Sequence, residues 1–151
     1  MKDTHFEMFY SNITGIYREI QRIRTNYSAD LNIKSVQVFW LFLLKEHPEG
    51  MIATQLANAS QTNRSLVSRE LGELMDKKLV AYKENGMANN YAQKIVLTAQ
   101  GRKLAEKINA IAMDVQLEVS KDIPAEDMQV FYRVLTNLNE RFTEIQKEEQ
   151  K

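Results

Sequence analysis

Cysteine is absent from the 151 residues of this chain. That one absence removes disulfides, thiolate nucleophiles, thiol-based redox sensing and cysteine-ligated metals. Histidine is almost as scarce. His5 and His47 lie far apart, so a histidine-built metal site is not expected. The two prolines, Pro48 and Pro124, read as punctuation between helical stretches. The longest apolar run, VFWLFLL at 38–44, is seven residues, whereas a membrane-spanning helix needs roughly 20. The first 30 residues carry charges throughout and lack the apolar centre of a signal peptide. A cytoplasmic location with no membrane partner is the expectation. Histidine–carboxylate pairing, a glycine-rich phosphate loop and metal-ligand spacing are all missing from the pattern. No enzyme, catalytic residue, metal or cofactor is therefore expected.

An excess of either charge is missing too. Twenty Lys and Arg balance twenty Asp and Glu. The charges are nevertheless unevenly placed. Residues 52–103 hold eight basic against four acidic side chains, a local +4, and residues 104–151 hold six against ten, a local −4. A basic patch inside a neutral chain still attracts phosphate, because the local field decides. Hydrophobic content of 44% and charged content of 26% are those of a folded globular protein, and the length suits one domain.

What is present is mostly helical pattern. Phe6, Phe9, Ile13, Ile16, Ile20, Ile23 and Tyr27 alternate at spacings of three and four, a heptad seam suited to helix-on-helix packing. The stretch IKSVQVFWLFLLKE (33–46) is apolar on most faces and predicts a buried helix with Asn32 as its N-cap. IATQLANA (52–59) predicts a short helix, closed by a turn at Ser60-Gln61. With Thr62 or Asn63 as N-cap, the next helix puts Val67, Leu71, Leu74 and Met75 on one face. Arg64, Ser65, Ser68, Arg69 and Gly72 fall away from that face. LVAYKE (79–84) and YAQKIVLT (91–98) read as two strands of a hairpin around Asn85-Gly86. Thr98 then caps a long helix, and Pro124 opens a last one whose Met128, Phe131, Leu135, Leu138, Phe142 and Ile145 make a second heptad seam. The predicted fold is mainly α with a small β-hairpin wing: a winged helix-turn-helix flanked by N- and C-terminal helices. Tyr10, Tyr17, Trp40 and the seven methionines read as core rather than as a ligand cleft.

At this point several short stretches carry a specific likeness. They are IKSVQ (33–37), QLA (55–57), NRSLVSR (63–69) followed by Leu74 and Leu79-Val80, and VLTAQGR (96–102), which leads out of the hairpin. In this order and spacing the chain resembles the MarR family of transcriptional regulators over nearly its whole length. The resemblance implies a DNA-binding lobe at 32–98, with 1–31 and 99–151 as dimerisation helices, within one chain of 1–151. It implies a homodimer on a pseudo-palindromic double-stranded site, acting as a repressor and released by a small-molecule effector at an unknown ligand-binding site. The implied DNA contacts are Thr62, Asn63, Arg64, Ser65, Ser68 and Arg69 on the recognition helix. Lys83, Asn89, Asn90 and Lys94 are those of the wing. Two departures stand out. The family's wing arginine is missing from NGMANN (85–90), and Lys78 stands where a glycine is usual. The arginine-free wing keeps a rival reading open: a protein-interaction module on a winged-helix scaffold.

Overall fold

A computed structural model describes residues 2–84 and 93–150. The helices are α1 (Lys2–Asp30), α2 (Ser35–Glu46), α3 (Ala53–Ser60), α4 (Arg64–Asp76), α5 (Ala99–Ser120) and α6 (Ala125–Glu149). Strands β1 (Val80–Tyr82) and β2 (Ile95–Leu97) lie between α4 and α5. The chain divides into two compact units, Met1–Asn109 and Ala110–Lys151.

The first unit is organised around α2. Trp40 and Leu41 are fully buried, Leu44 and Val38 nearly so, and they pack with Leu56, Val67, Leu71, Leu74, Val80, Ile95 and Ala105. An apolar stretch of this kind is ambiguous between strand and helix until its length is counted. Here it is the helix at the centre, surrounded on several sides, which is why it has no polar face.

Three helix ends in this unit share one device. Asn32, Gln61 and Lys78 have φ of 54°, 53° and 57°, the left-handed conformation of a Schellman stop. Each is followed by an amide that reaches back five residues: Ile33 to Ser28 O, Thr62 to Ala57 O and Leu79 to Leu74 O. This corrects the role expected for Asn32. It ends α1 rather than capping α2, because asparagine tolerates a left-handed backbone better than most residues. Lys34 occupies the N-cap position of α2, and its amide donates to Gln37 Oε1 at 3.0 Å. Pro124 likewise stands at the N-cap of α6, one place before the first turn where it was expected.

The strands are shorter than the sequence pattern predicts. They pair antiparallel with Val80 opposite Leu97, Ala81 opposite Val96 and Tyr82 opposite Ile95. The Lys83 amide extends the ladder to Lys94 O at 2.7 Å. Met51 adds an isolated bridge to Ile95 on the other side. Gly50, at φ 90°, turns the chain into that bridge. Asn85, Gly86, Asn89 and Asn90 lie outside the described residues.

In the second unit, α6 runs after the last part of α5, joined by a short turn. Gln116 Nε2 donates to the Tyr132 hydroxyl at 2.7 Å across the two helices. Among the described residues of this unit none is buried in the single chain. Phe131, Val134, Phe142 and Ile145 are all exposed.

Candidate nucleic-acid interface

The turn between α3 and α4 is built from below. Trp40, at the centre of the core, sends its indole N–H to Ser60 Oγ at 2.8 Å. Ser60 Oγ in turn donates to the Leu56 carbonyl. A buried indole N–H requires such a partner, so this pair fixes where α3 ends. Gln61 then takes the left-handed position, and the chain reverses into Asn63. Asn63 Oδ1 accepts from the Leu66 amide at 2.9 Å and caps α4. Asn63, rather than Thr62, is the cap. Thr62 is half-buried beside Ser60, with its hydroxyl 3.4 Å from Ser60 Oγ.

Helix α4 separates its faces as its spacing predicts. Val67, Leu71 and Leu74 are buried, and Met75 packs against the core. Arg64, Ser65, Ser68 and Arg69 are exposed and share the opposite side, with Asn63 at the N-terminal tip. An open cleft of about 700 Å³ runs along this helix, bounded by Thr54 of α3 and by Tyr82 of β1. It brings Arg64, Ser65, Ser68, Arg69 and Gly72 onto one wall. Lys83 and Lys94 are cross-strand neighbours at the root of the wing. Lys83 is exposed and its Nζ approaches Glu49 O at 3.4 Å, and Lys94 is half-buried. They do not line the cleft. Asn89 and Asn90 lie outside the described residues.

Two features of this region escape sequence reasoning. Tyr82 is 42% exposed at the edge of the recognition-helix cleft, where strand alternation alone does not single it out. Glu70 is more surprising. Its side chain is 2% exposed, on the face that carries Val67 and Leu74. Its position, three residues after Val67 and four before Leu74, is the signal that could have found it. Lys34 of α2 lies 3.1 Å from Glu70 and 2.7 Å from Glu73. Gln37 Nε2 donates to both carboxylates, at 3.0 and 3.1 Å. The hydrogen bonds to Glu73 and Glu70 push the Lys34 pKa up. The bond from Lys34 holds the Glu73 carboxyl below its ordinary value. Lys77, at the far end of α4, donates to Asn32 O at 2.9 Å. Helix α4 is thus tied by polar bonds to the α1–α2 junction as well as by apolar packing.

After α4 the chain closes onto itself. Thr98 Oγ1 donates to Lys78 O at 2.6 Å and accepts from the Gly101 amide at 3.0 Å, so Thr98 caps α5 as expected. A Cβ at Gly101 would lie 1.8 Å from Leu79 O. The LT..GR stretch is therefore a cap plus a close backbone approach, joining α5 to the end of the recognition helix.

Helix, turn, recognition helix and paired strands in this order make a winged helix of the kind that presents one helix to a DNA groove. The likeness read from sequence is borne out at the level of fold: this is the winged-helix architecture of MarR-family transcriptional regulators. No family model matches the chain. Among curated proteins, the HTH-type transcriptional regulator TcaR of Staphylococcus aureus is 26% identical over 137 residues, 89% of this chain and 87% of that protein. A MarR-family regulator of Listeria monocytogenes, solved in complex with a 26mer DNA, superposes with a TM-score of 0.77 at 20% identity, covering 89% of each chain. A MarR regulator of Methanosarcina mazei superposes with a TM-score of 0.77 at 19% identity, covering 92% of this chain and 99% of that one. The MarR protein of S. aureus, solved with salicylate and kanamycin, gives 0.75 at 16% identity over 93% and 94% of the two chains. These relatives are regulators, not enzymes. No described helix is long and apolar enough to cross a membrane.

Proposed function

We propose that the chain is a sequence-specific DNA-binding transcriptional regulator that acts as a homodimer on a pseudo-palindromic site. The observation that carries this reading is the exposed cationic and hydroxyl face of α4, with Arg64, Ser65, Ser68 and Arg69 held on a helix whose other side is core. Arginine at such a position takes guanine edges bidentately, and serine approaches bases or phosphates closely. Thr62 and Asn63, at the tip where the first amides of α4 project, suit a phosphate. Lys83 and Lys94 at the wing root, with Asn89 and Asn90 beyond them, supply phosphate contacts in place of the missing arginine.

The dimer reading rests on α1 and α6. Phe6, Ile13, Ile16 and Ile20 of the first heptad seam are exposed in the single chain, as are Phe131, Phe142 and Ile145 of the second. Two apolar seams left open in this way call for a second copy. Residues 1–31 and 99–151 then act as dimerisation helices around the lobe at 32–98. Two-fold symmetry sets the half-sites about one helical turn apart, roughly 10–10.5 bp. Repression, with release by a small-molecule effector that favours another dimer geometry, completes the proposal.

The test is a mobility shift at low salt with DNA from upstream of the protein's own gene, comparing wild type with Arg64→Ala and Arg69→Ala. Each substitution is expected to weaken binding by about 1–3 kcal/mol. Binding that survives both would remove the recognition-helix assignment. Failure of the wild type to bind any pool of random duplexes would favour the rival reading, a protein-interaction module.

A further inference from the structure

The buried carboxylate of Glu70 touches the reading face itself. Its Oε1 accepts from Arg69 Nε at 3.1 Å, although the Arg69 side chain is 66% exposed. Adjacent residues on a helix ordinarily point apart, so Arg69 has folded its guanidinium back over its neighbour. Oε2 of the same carboxylate accepts from Gln37 Nε2 at 3.0 Å, and Lys34 Nζ lies against both oxygens, 3.2 Å from Oε1 and 3.1 Å from Oε2. A buried carboxylate needs its lone pairs filled, and α2 fills those on one side. Oε1 is shared, accepting from Lys34 Nζ as well as from Arg69 Nε.

We propose that Glu70 is a positioning residue for DNA recognition, anchored from beneath by Gln37 and Lys34, which orients the Arg69 guanidinium through Nε and so sets the base preference at one position of each half-site. The proposal rests on the DNA-reading assignment of Arg69 made above. Its chemistry is specific. With Nε committed to Glu70, the bidentate edge left for a base is the end formed by the two Nη groups, which matches the two acceptors of guanine, O6 and N7. A long side chain ordered before binding loses less freedom on binding. A carboxylate set beside a phosphate-binding face would otherwise only repel DNA; held 2% exposed and matched by two cations, it directs one of them instead.

The test begins with selection of bound sequences from random duplexes by the full-length wild type. Competition between the selected site and single base-pair variants then follows, for wild type, Arg69→Ala, Glu70→Gln and Glu73→Gln. Arg69→Ala identifies the base pair by a loss of preference there of roughly 5- to 100-fold. Glu70→Gln is expected to lose at least about threefold of preference at that same base pair and at no other, with an unchanged salt slope, since no phosphate contact is removed. Glu73→Gln, which removes a charge from the same cluster without touching Glu70 or Arg69, is expected to keep the preference. A second readout needs no change at Glu70. In the free protein the Arg69 Nε–H resonance, assigned by its loss in Arg69→Ala, is expected to exchange slowly with water. An unchanged preference in Glu70→Gln, a loss spread over all positions, an equal loss in Glu73→Gln, or an Nε–H that exchanges like a free arginine's would each overturn the proposal. A wild type that selects no motif removes the DNA reading itself, and this proposal with it. A wild-type motif that Glu70→Gln reproduces removes only the proposal.

Discussion

Lys78 shows how much a single backbone angle costs this chain. At φ 57° it takes the left-handed conformation that is unfavourable by about 1–2 kcal/mol for a residue with a Cβ. The Schellman bonds that follow, from Lys78 N to Met75 O at 2.9 Å and Leu79 N to Leu74 O at 2.9 Å, hold it there. Replacing Lys78 with glycine keeps those bonds and removes the strain. Lys78→Gly is expected to stabilise the fold by about 1 kcal/mol, read as a higher urea midpoint at unchanged slope. Gly101 is the opposite case. Its missing Cβ is what lets α5 start against Leu79 O, 1.8 Å from where that atom would sit. Gly101→Ala is expected to destabilise by about 3 kcal/mol or to displace the end of the recognition helix, read by thermal melting together with loss of DNA binding. The missing glycine at 78 and the LT..GR stretch were both visible in the sequence. Their physical meaning was not, because a left-handed φ and a backbone approach leave no trace in composition.

At the scale of the element, α4 combines an apolar anchor, an exposed polar face and a pair of acidic ties to α2. The ties have a pH signature. The Lys34 pKa is raised above 10.5, so its contribution is complete below the unfolded value and lost as pH rises through the folded one. The Glu73 pKa is lowered below 4.5, so its contribution is present above that value and lost as pH falls through the folded one. The pair therefore acts across the plateau between about 4.5 and 10.5. Lys34→Met is expected to make stability less sensitive to pH at both ends, measured by melting temperature against pH; a variant whose acid and alkaline limbs match the wild type's would exclude the tie. Periodicity was enough to find α4, its apolar face and its exposed residues, because a helix half in the core repeats every 3.6 residues. It missed Glu70 because a carboxylate on the inner face is stabilised by Lys34 and Gln37, which lie 36 and 33 residues away in sequence. It misplaced Asn32 for a related reason. An asparagine between two helices suits both the end of one and the start of the next, and the choice depends on how the chain turns.

At the scale of the whole molecule the remaining question is what covers the two heptad seams. Ile16 and Ile20 of α1 are 53% and 55% exposed in the single chain. Each exposed apolar side chain of this size forgoes about 1.5–3 kcal/mol of burial, and neither belongs to the core of the first unit. A charge placed there has little to disturb in a monomer and much to disturb in a dimer, where it would be desolvated without a partner. Ile16→Asp with Ile20→Asp is therefore expected to leave helical content and the buried Trp40 environment intact while shifting sedimentation from dimer to monomer at micromolar concentration. DNA binding should fall with it, since two half-sites one turn apart are read at high affinity only when both recognition helices are joined. Arg69→Ala should instead keep the dimer and lose the base preference. Sedimentation of the wild type as a monomer would overturn the dimer reading whatever the DNA result. A double variant that stays dimeric would move the interface away from the first seam, leaving α6 as the surface to change next.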